Sequence, residues 1–207
     1  MIPLSDANEA KTVIAGIGLA FALWYVVFLT HILDSFWYRV TVASIILALY
    51  AAIFGGGVAG GDHEISVSVV LKGFVSGGLL YASFFVGYNV FRSLVESGAS
   101  SVYLFRTDSP LYIAAVSLII TSVCEEFFWR RYLQTALVER HGGTGVSLSA
   151  LMYAFIHLPT GNLALVFAAL IAGLFWGLLY EYTKSFWVVV FSHIVWTELI
   201  FVFLPLR

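Results

Sequence analysis

Charge is what this sequence has least of. Of its 207 residues 11% are Asp, Glu, Lys or Arg and 61% are hydrophobic. Water-soluble domains carry about 25% charged residues, so a soluble globule is excluded. Ten basic and twelve acidic residues leave a net charge of −2, which offers neither a basic surface for nucleic acid nor an electrostatic anchor for anionic lipid. Cysteine is almost absent: Cys124 stands alone, so no internal disulfide can form. The amino terminus, MIPLSDANEAK, is acidic where a signal peptide is basic, and no cleavage pattern follows, so the first apolar run reads as a retained helix. Common protease signatures are missing too. GGDHEIS (60–66) has a His-Glu pair without the second His of HExxH, and neither GxSxG nor GxGD occurs.

What remains is a set of long apolar runs, with a mean hydropathy of +0.96. Transmembrane strands would alternate over about 10 residues, whereas these runs are longer and apolar on all sides. They predict an all-α, polytopic transmembrane bundle of about seven spans, near 12–33, 40–58, 66–91, 111–138, 144–158, 162–181 and 185–204. FGGGVAGG (54–61) breaks the second early, and Pro159 with Gly161 ends the fifth. The expected organisation is one integral membrane domain over 1–207: plain amino-terminal spans in 1–91, then a long connection (92–110), then a polar-bearing part in 111–204. Ala169, Gly173 and Gly177 recur every four residues, a stripe that lets another helix approach closely. In a seven-span layout Lys11, Lys72, Arg140 and Lys184 face one side and Arg39, Arg92, Arg106 and Arg207 the other. Sidedness is therefore nearly even, with a lean towards an inside amino terminus.

TSVCEEFFWRRYLQ (121–134) continues an apolar run, yet holds Glu125, Glu126, Arg130 and Arg131. An unpaired charge at the bilayer centre costs roughly 2.5–3.5 kcal/mol on insertion scales. Glu126 and Arg130 are four apart and can pair on one helical face; Glu125, turned by about 100°, points elsewhere. LMYAFIHLP supplies Tyr153 and His157 on one face, and FSHIVWTEL supplies His193 and Thr197. His157 and His193 are thus available to converge on Glu125. His31, His63 and His141 lie near span ends and read as interfacial.

The order and spacing of these residues resemble the CAAX-protease and bacteriocin-processing (CPBP, also ABI) family, glutamic-type intramembrane proteases related to the Ras-converting CAAX endopeptidase. EEFFWR (125–130) is similar to the motif EExxxR. YAFIH (153–157) is similar to FxxxH, with Tyr153 in the Phe position, and SHIVWT (192–197) to His followed four residues later by Asn, with Thr197 in the Asn position. The resemblance covers about 111–204. It implies that Glu125 is the general base, assisted by His157 in activating a water, and that His193 stabilises the oxyanion, with Thr197 beside it as a hydroxyl donor. Glu126 and Arg130 are the supporting pair, and Tyr153 supports the same site. The chemistry agrees, since a carboxylate can take a proton from water and an N–H aimed at a developing oxyanion acts most strongly where water is scarce. The departures are Tyr153, Thr197, and Trp129 and Arg131 where many members have Phe and Gly.

The implied substrate is a protein tail or membrane-anchored peptide cut near the bilayer interface. It would be prenylated, as in the CAAX branch, or would carry a C-terminal sorting signal or a leader, as in prokaryotic members. The implied setting is the lipid bilayer, without nucleic acid, metal or cofactor, and the compact length favours a prokaryotic inner membrane. Three other readings stay open at this point: a zinc site built from Glu125, His157 and His193; a sorting-type enzyme using Cys124, against which the neighbouring glutamates argue; and a non-catalytic scaffold or bacteriocin-immunity protein on the same fold.

Overall fold

The computed structural model describes residues 6–55 and 64–206. Its elements are helices α1 (Asp6–Leu29), α2 (Phe36–Phe54), α3 (Val67–Val90), α4 (Arg92–Tyr103), α5 (Leu111–Glu126), α6 (Thr135–His141), α7 (Thr144–Phe155), α8 (Leu163–Thr183) and α9 (Phe186–Glu198). A π-helical segment, Phe127–Gln134, joins α5 to α6, a second (Leu199–Phe203) extends α9, and 3₁₀ turns occupy Leu104–Thr107 and Leu158–Thr160. The described residues contain no strand.

The helices begin where short hydroxyl or amide side chains can cap them. Ser35, Ser66, Asn162 and Ser185 accept from the backbone N–H of Trp37, Val69, Leu165 and Val188. Pro110 immediately precedes α5 and Pro159 sits in the turn after α7, boundaries where its missing N–H does no harm.

Among the described residues, six helical stretches are long and apolar enough to cross a membrane: Asn8–Leu29, Phe36–Phe54, Val67–Val90, Leu111–His141, Leu163–Thr183 and Phe186–Phe203. Between 22% and 44% of each apolar window is buried against other protein, so the outer faces, with Ile14, Ile53, Leu79, Val90 and Phe167 exposed, need hydrocarbon as their solvent. The protein is an integral membrane protein.

Three expectations change in detail. The run at 144–158 forms only the 12-residue α7, about 18 Å long, because Gly142 and Gly143 precede it and Pro159 follows. The connection at 92–110 is not a loop. Val95, Ala99 and Tyr103, four apart, turn one face of α4 onto Tyr88, Ile200 and Leu206, a pattern obscured by the serines around them. Arg39, placed with the surface charges, is buried: its Nε donates to Val27 O at 3.0 Å and its Nη1 to Leu33 O at 2.7 Å, closing the α1–α2 turn. His31 and His141 are exposed near helix ends, while His63 and most of 54–61 lie outside the described residues.

α3 packs along α9, and α7 along α8, through small residues. The stripe on α8 meets α7: a Cβ on Gly173 would stand 3.1 Å from the Tyr153 ring, and one on Gly177 2.9 Å from Gln134 Oε1 and Val146 Cγ1. On α3, a Cβ on Gly77 would stand 2.5 Å from the backbone O of Ser192, the residue before His193. Gly77→Ala is therefore expected to force α3 away from α9 and to lower stability by about 1–3 kcal/mol. Melting temperature in a single detergent reads the effect. Gly78→Ala, whose Cβ meets nothing within 4 Å, serves as the control, and equal melting of the two variants would refute the close-approach argument.

Candidate active site

The polar residues of 121–134 sit where the rod Leu111–His141 changes its winding. From Phe127 to Gln134 the helix widens to π geometry, a feature that frees backbone groups and gathers at functional sites. Two hydroxyls bond carbonyls of this stretch: Ser149 Oγ of α7 donates to Trp129 O at 3.3 Å, and Thr135 Oγ1 to Arg130 O at 3.2 Å, a carbonyl that also accepts the Thr135 backbone N–H. The widened turn holds Phe128, Trp129, Arg130, Leu133 and Gln134 with no measurable exposure.

Glu126, also fully buried, has a partner on each oxygen. Arg130 Nε lies 3.1 Å from Oε2, close but off the N–H axis, so the contact is an ion pair rather than a directed hydrogen bond. On the other side, His193 Nδ1 lies 2.7 Å from Oε1. A carboxylate paired with a guanidinium is ionised and only accepts, so Nδ1 carries the proton. The Arg130 guanidinium lies 5.3 Å from the centroid of the Tyr153 ring, over its face, and its Nη1 and Nη2 meet no hydrogen-bond acceptor among the described residues.

Glu125 has a different partner. Tyr153 Oη donates to its Oε2 at 3.0 Å; Oε1 takes no hydrogen bond from a described residue, and the side chain keeps 7% of its surface open. One turn beyond Tyr153, His157 Nδ1 lies 2.9 Å from Tyr153 O. A carbonyl can only accept, so this ring too is protonated at Nδ1 and presents Nε2 as a bare lone pair. Tyr153 thus bonds Glu125 through its hydroxyl, meets Arg130 with its ring, and holds His157 with its backbone.

The structure therefore brings Glu125, Glu126, Arg130, Tyr153, His157, His193 and Thr197 into one region, with connections unlike those read from spacing. The direct partner of His193 is Glu126, not Glu125. Thr197 Oγ1 donates back into its own helix, 2.9 Å from His193 O and 3.1 Å from Ile194 O, so its one proton is committed to the backbone. Among the described residues no three His, Cys, Asp or Glu side chains are grouped so that they could hold a metal ion; the Glu125–His157–His193 set does not assemble as ligands.

Several residues around the site gave no signal in the sequence. Trp24 and Phe28 of α1 place their rings 6.4 and 5.7 Å from that of His157, so α1 walls this side of the site. Trp129 meets Tyr153 edge-on at 5.3 Å, and Trp176 stacks on His193 at 3.8 Å. Gln134 Nε2 donates to Gly177 O at 2.9 Å and Glu181 Oε1 at 3.1 Å, locking the end of the π segment to α8. A buried amide next to a glycine stripe could have suggested that last contact.

Residues 107–198 match the family model described as type II CAAX prenyl endopeptidase Rce1-like. No curated protein and no solved structure matches the chain.

Removing one partner of a buried ion pair typically costs 3–5 kcal/mol, because the other charge is stranded. Arg130→Ala is therefore expected to lower the melting temperature sharply. Replacing Glu126 and Arg130 together with apolar residues is expected to recover part of that loss, while leaving His193 without its Nδ1 partner. A double-mutant cycle on melting temperature in one detergent tests the pairing; strictly additive single effects would show that the two charges are not coupled.

Proposed function

We propose, from the match of residues 107–198 to the type II CAAX prenyl endopeptidase Rce1-like model, that the chain is an intramembrane endopeptidase of glutamic type in the CAAX-protease and bacteriocin-processing family, with Glu125 as its general base. The family points to a peptidase acting on a protein substrate at the membrane. The mechanistic reading rests on one observation: Glu125 is anchored through one oxygen, on Tyr153, while the other takes no hydrogen bond from a described residue. A carboxylate held in this way is fixed in direction and still able to receive a proton.

In the proposed reaction a water bound between Glu125 Oε1 and the bare Nε2 of His157 loses a proton to Glu125 as its oxygen attacks the scissile carbonyl. The proton then passes to the departing amine as the C–N bond breaks, so the carboxylate is regenerated. Charge developing on the carbonyl oxygen is met by His193. Since Nδ1–H of that ring is committed to Glu126, donation through Nε2 requires a ring carrying both protons, and the Glu126 carboxylate balances its charge. Because the Thr197 proton is committed to backbone carbonyls, oxyanion stabilisation rests on His193 rather than on the residue in the family's Asn position. The substrate is a protein tail or membrane-anchored peptide, prenylated or carrying a sorting signal or leader, and the proposed setting is a prokaryotic inner membrane.

Glu125→Gln keeps the shape and the Tyr153 contact but cannot accept the proton. Cleavage of a fluorogenic peptide panel, with prenylated CAAX tails in one arm and unprenylated membrane-anchored leaders in the other, is expected to fall by about 10²-fold or more, with melting temperature little changed. Wild-type turnover by purified Glu125→Gln would falsify the glutamic assignment.

A further inference from the structure

Trp176 is fully buried and lies flat on the His193 imidazole, with ring centroids 3.8 Å apart and planes inclined by 23°. Its ring also meets that of Trp196 edge-on, at 5.5 Å and 84°. The indole Nε1 meets no acceptor among the described residues, so the side chain is present for its ring face and not for its N–H. It stands between Gly173 and Gly177, on the part of α8 that approaches α7 most closely.

The hydrogen bond to Glu126 fixes one point of the His193 ring. A single in-plane contact still allows the imidazole to swing about the line from Nδ1 to Oε1, and such a swing carries Nε2 out of any fixed direction. A rigid slab against the ring face removes that freedom, and its π face also suits a ring bearing two protons. We infer that Trp176 is a positioning residue of this site: with Glu126 it forms a two-sided clamp that sets where Nε2 of His193 points. The inference rests on the reading of His193 as the oxyanion donor. An aliphatic residue of similar reach would fill the volume but leave the ring free to turn, and misplacement of a reacting group by about 1 Å can cost 10²-fold in rate.

The test uses the full-length protein in detergent with Trp176→Phe and Trp176→Leu, and with Trp176→Met in place of the latter if Leu does not yield folded protein. Two readouts are taken. The first is kcat and KM on the fluorogenic peptides. The second is the imidazole ¹H–¹⁵N resonance of His193 Nδ1–H, assigned by its disappearance in His193→Gln and independent of turnover. In Trp176→Leu the expected result is a kcat about tenfold or more lower, KM within about twofold, and an exchange-broadened or lost Nδ1–H resonance. Trp176→Phe, which restores a flat ring, is expected to recover both. Retention of the sharp resonance and of kcat in Trp176→Leu overturns the clamp and leaves the tryptophan as packing. If the wild type cleaves nothing in the panel, the peptidase reading fails by itself, and the resonance arm still decides whether Trp176 fixes the ring.

Discussion

One buried carboxylate organises this molecule. Glu126 has no exposure to solvent or lipid, and an isolated ionised carboxylate in such a place is prohibitively expensive. Its two oxygens are therefore matched by Arg130 and His193. Each of these partners imposes a requirement in turn. Arg130 must be brought to it by the widened turn 127–134, two of whose carbonyls also accept from the hydroxyls of Ser149 and Thr135. His193 must be brought to it by α9, which reaches that position only because α3 presents glycine where the two backbones meet. Much of the close packing of the second half follows from keeping this charge neutralised.

Glu125, one residue earlier, is left outside that arrangement. Its direction is set by Tyr153, and Tyr153 is seated by Gly173 on one side and Trp129 on the other. Adjacent carboxylates on one helix thereby acquire separate environments: one neutralised on both oxygens, the other held by one and open at the second. The amino-terminal α1 takes part as well, since Trp24 and Phe28 close the region beside His157. The half of the chain with few polar residues supplies the apolar wall without which the polar half would be wet.

The membrane class and most of the spans were legible because hydrophobic length is a one-dimensional property, and the three motifs because their order and spacing are local. The Glu126–Arg130 contact belongs to that group, being an i, i+4 pair within one element. What crosses between elements was not legible. Nothing in the spacing distinguishes His193 on Glu126 from His193 on Glu125, since the π segment and the packing angle of α9 decide it. Trp176 is one of 6 tryptophans with nothing local to mark it. Thr197 looked like a free hydroxyl because side-chain type says nothing about rotamer, and Ser and Thr inside helices commonly bond the preceding turn. α4 was hidden by serines that disfavour helix in isolation but leave its apolar face intact.

The ending of α7 has a meaning beyond its length. In an uninterrupted helix the backbone N–H of His157 would bond Tyr153 O, four residues back. Here the last turn tightens and that N–H goes to Ala154 O at 3.1 Å, leaving Tyr153 O for the imidazole Nδ1. The tightening belongs to Pro159, whose ring bars the helix from continuing and biases Leu158 before it. A helix stop two residues away thus writes the tautomer of His157: it decides which ring nitrogen bears hydrogen and which keeps its lone pair. Backbone termination and acid–base identity are the same event at this position, so a proline two residues away sets the protonation pattern of His157.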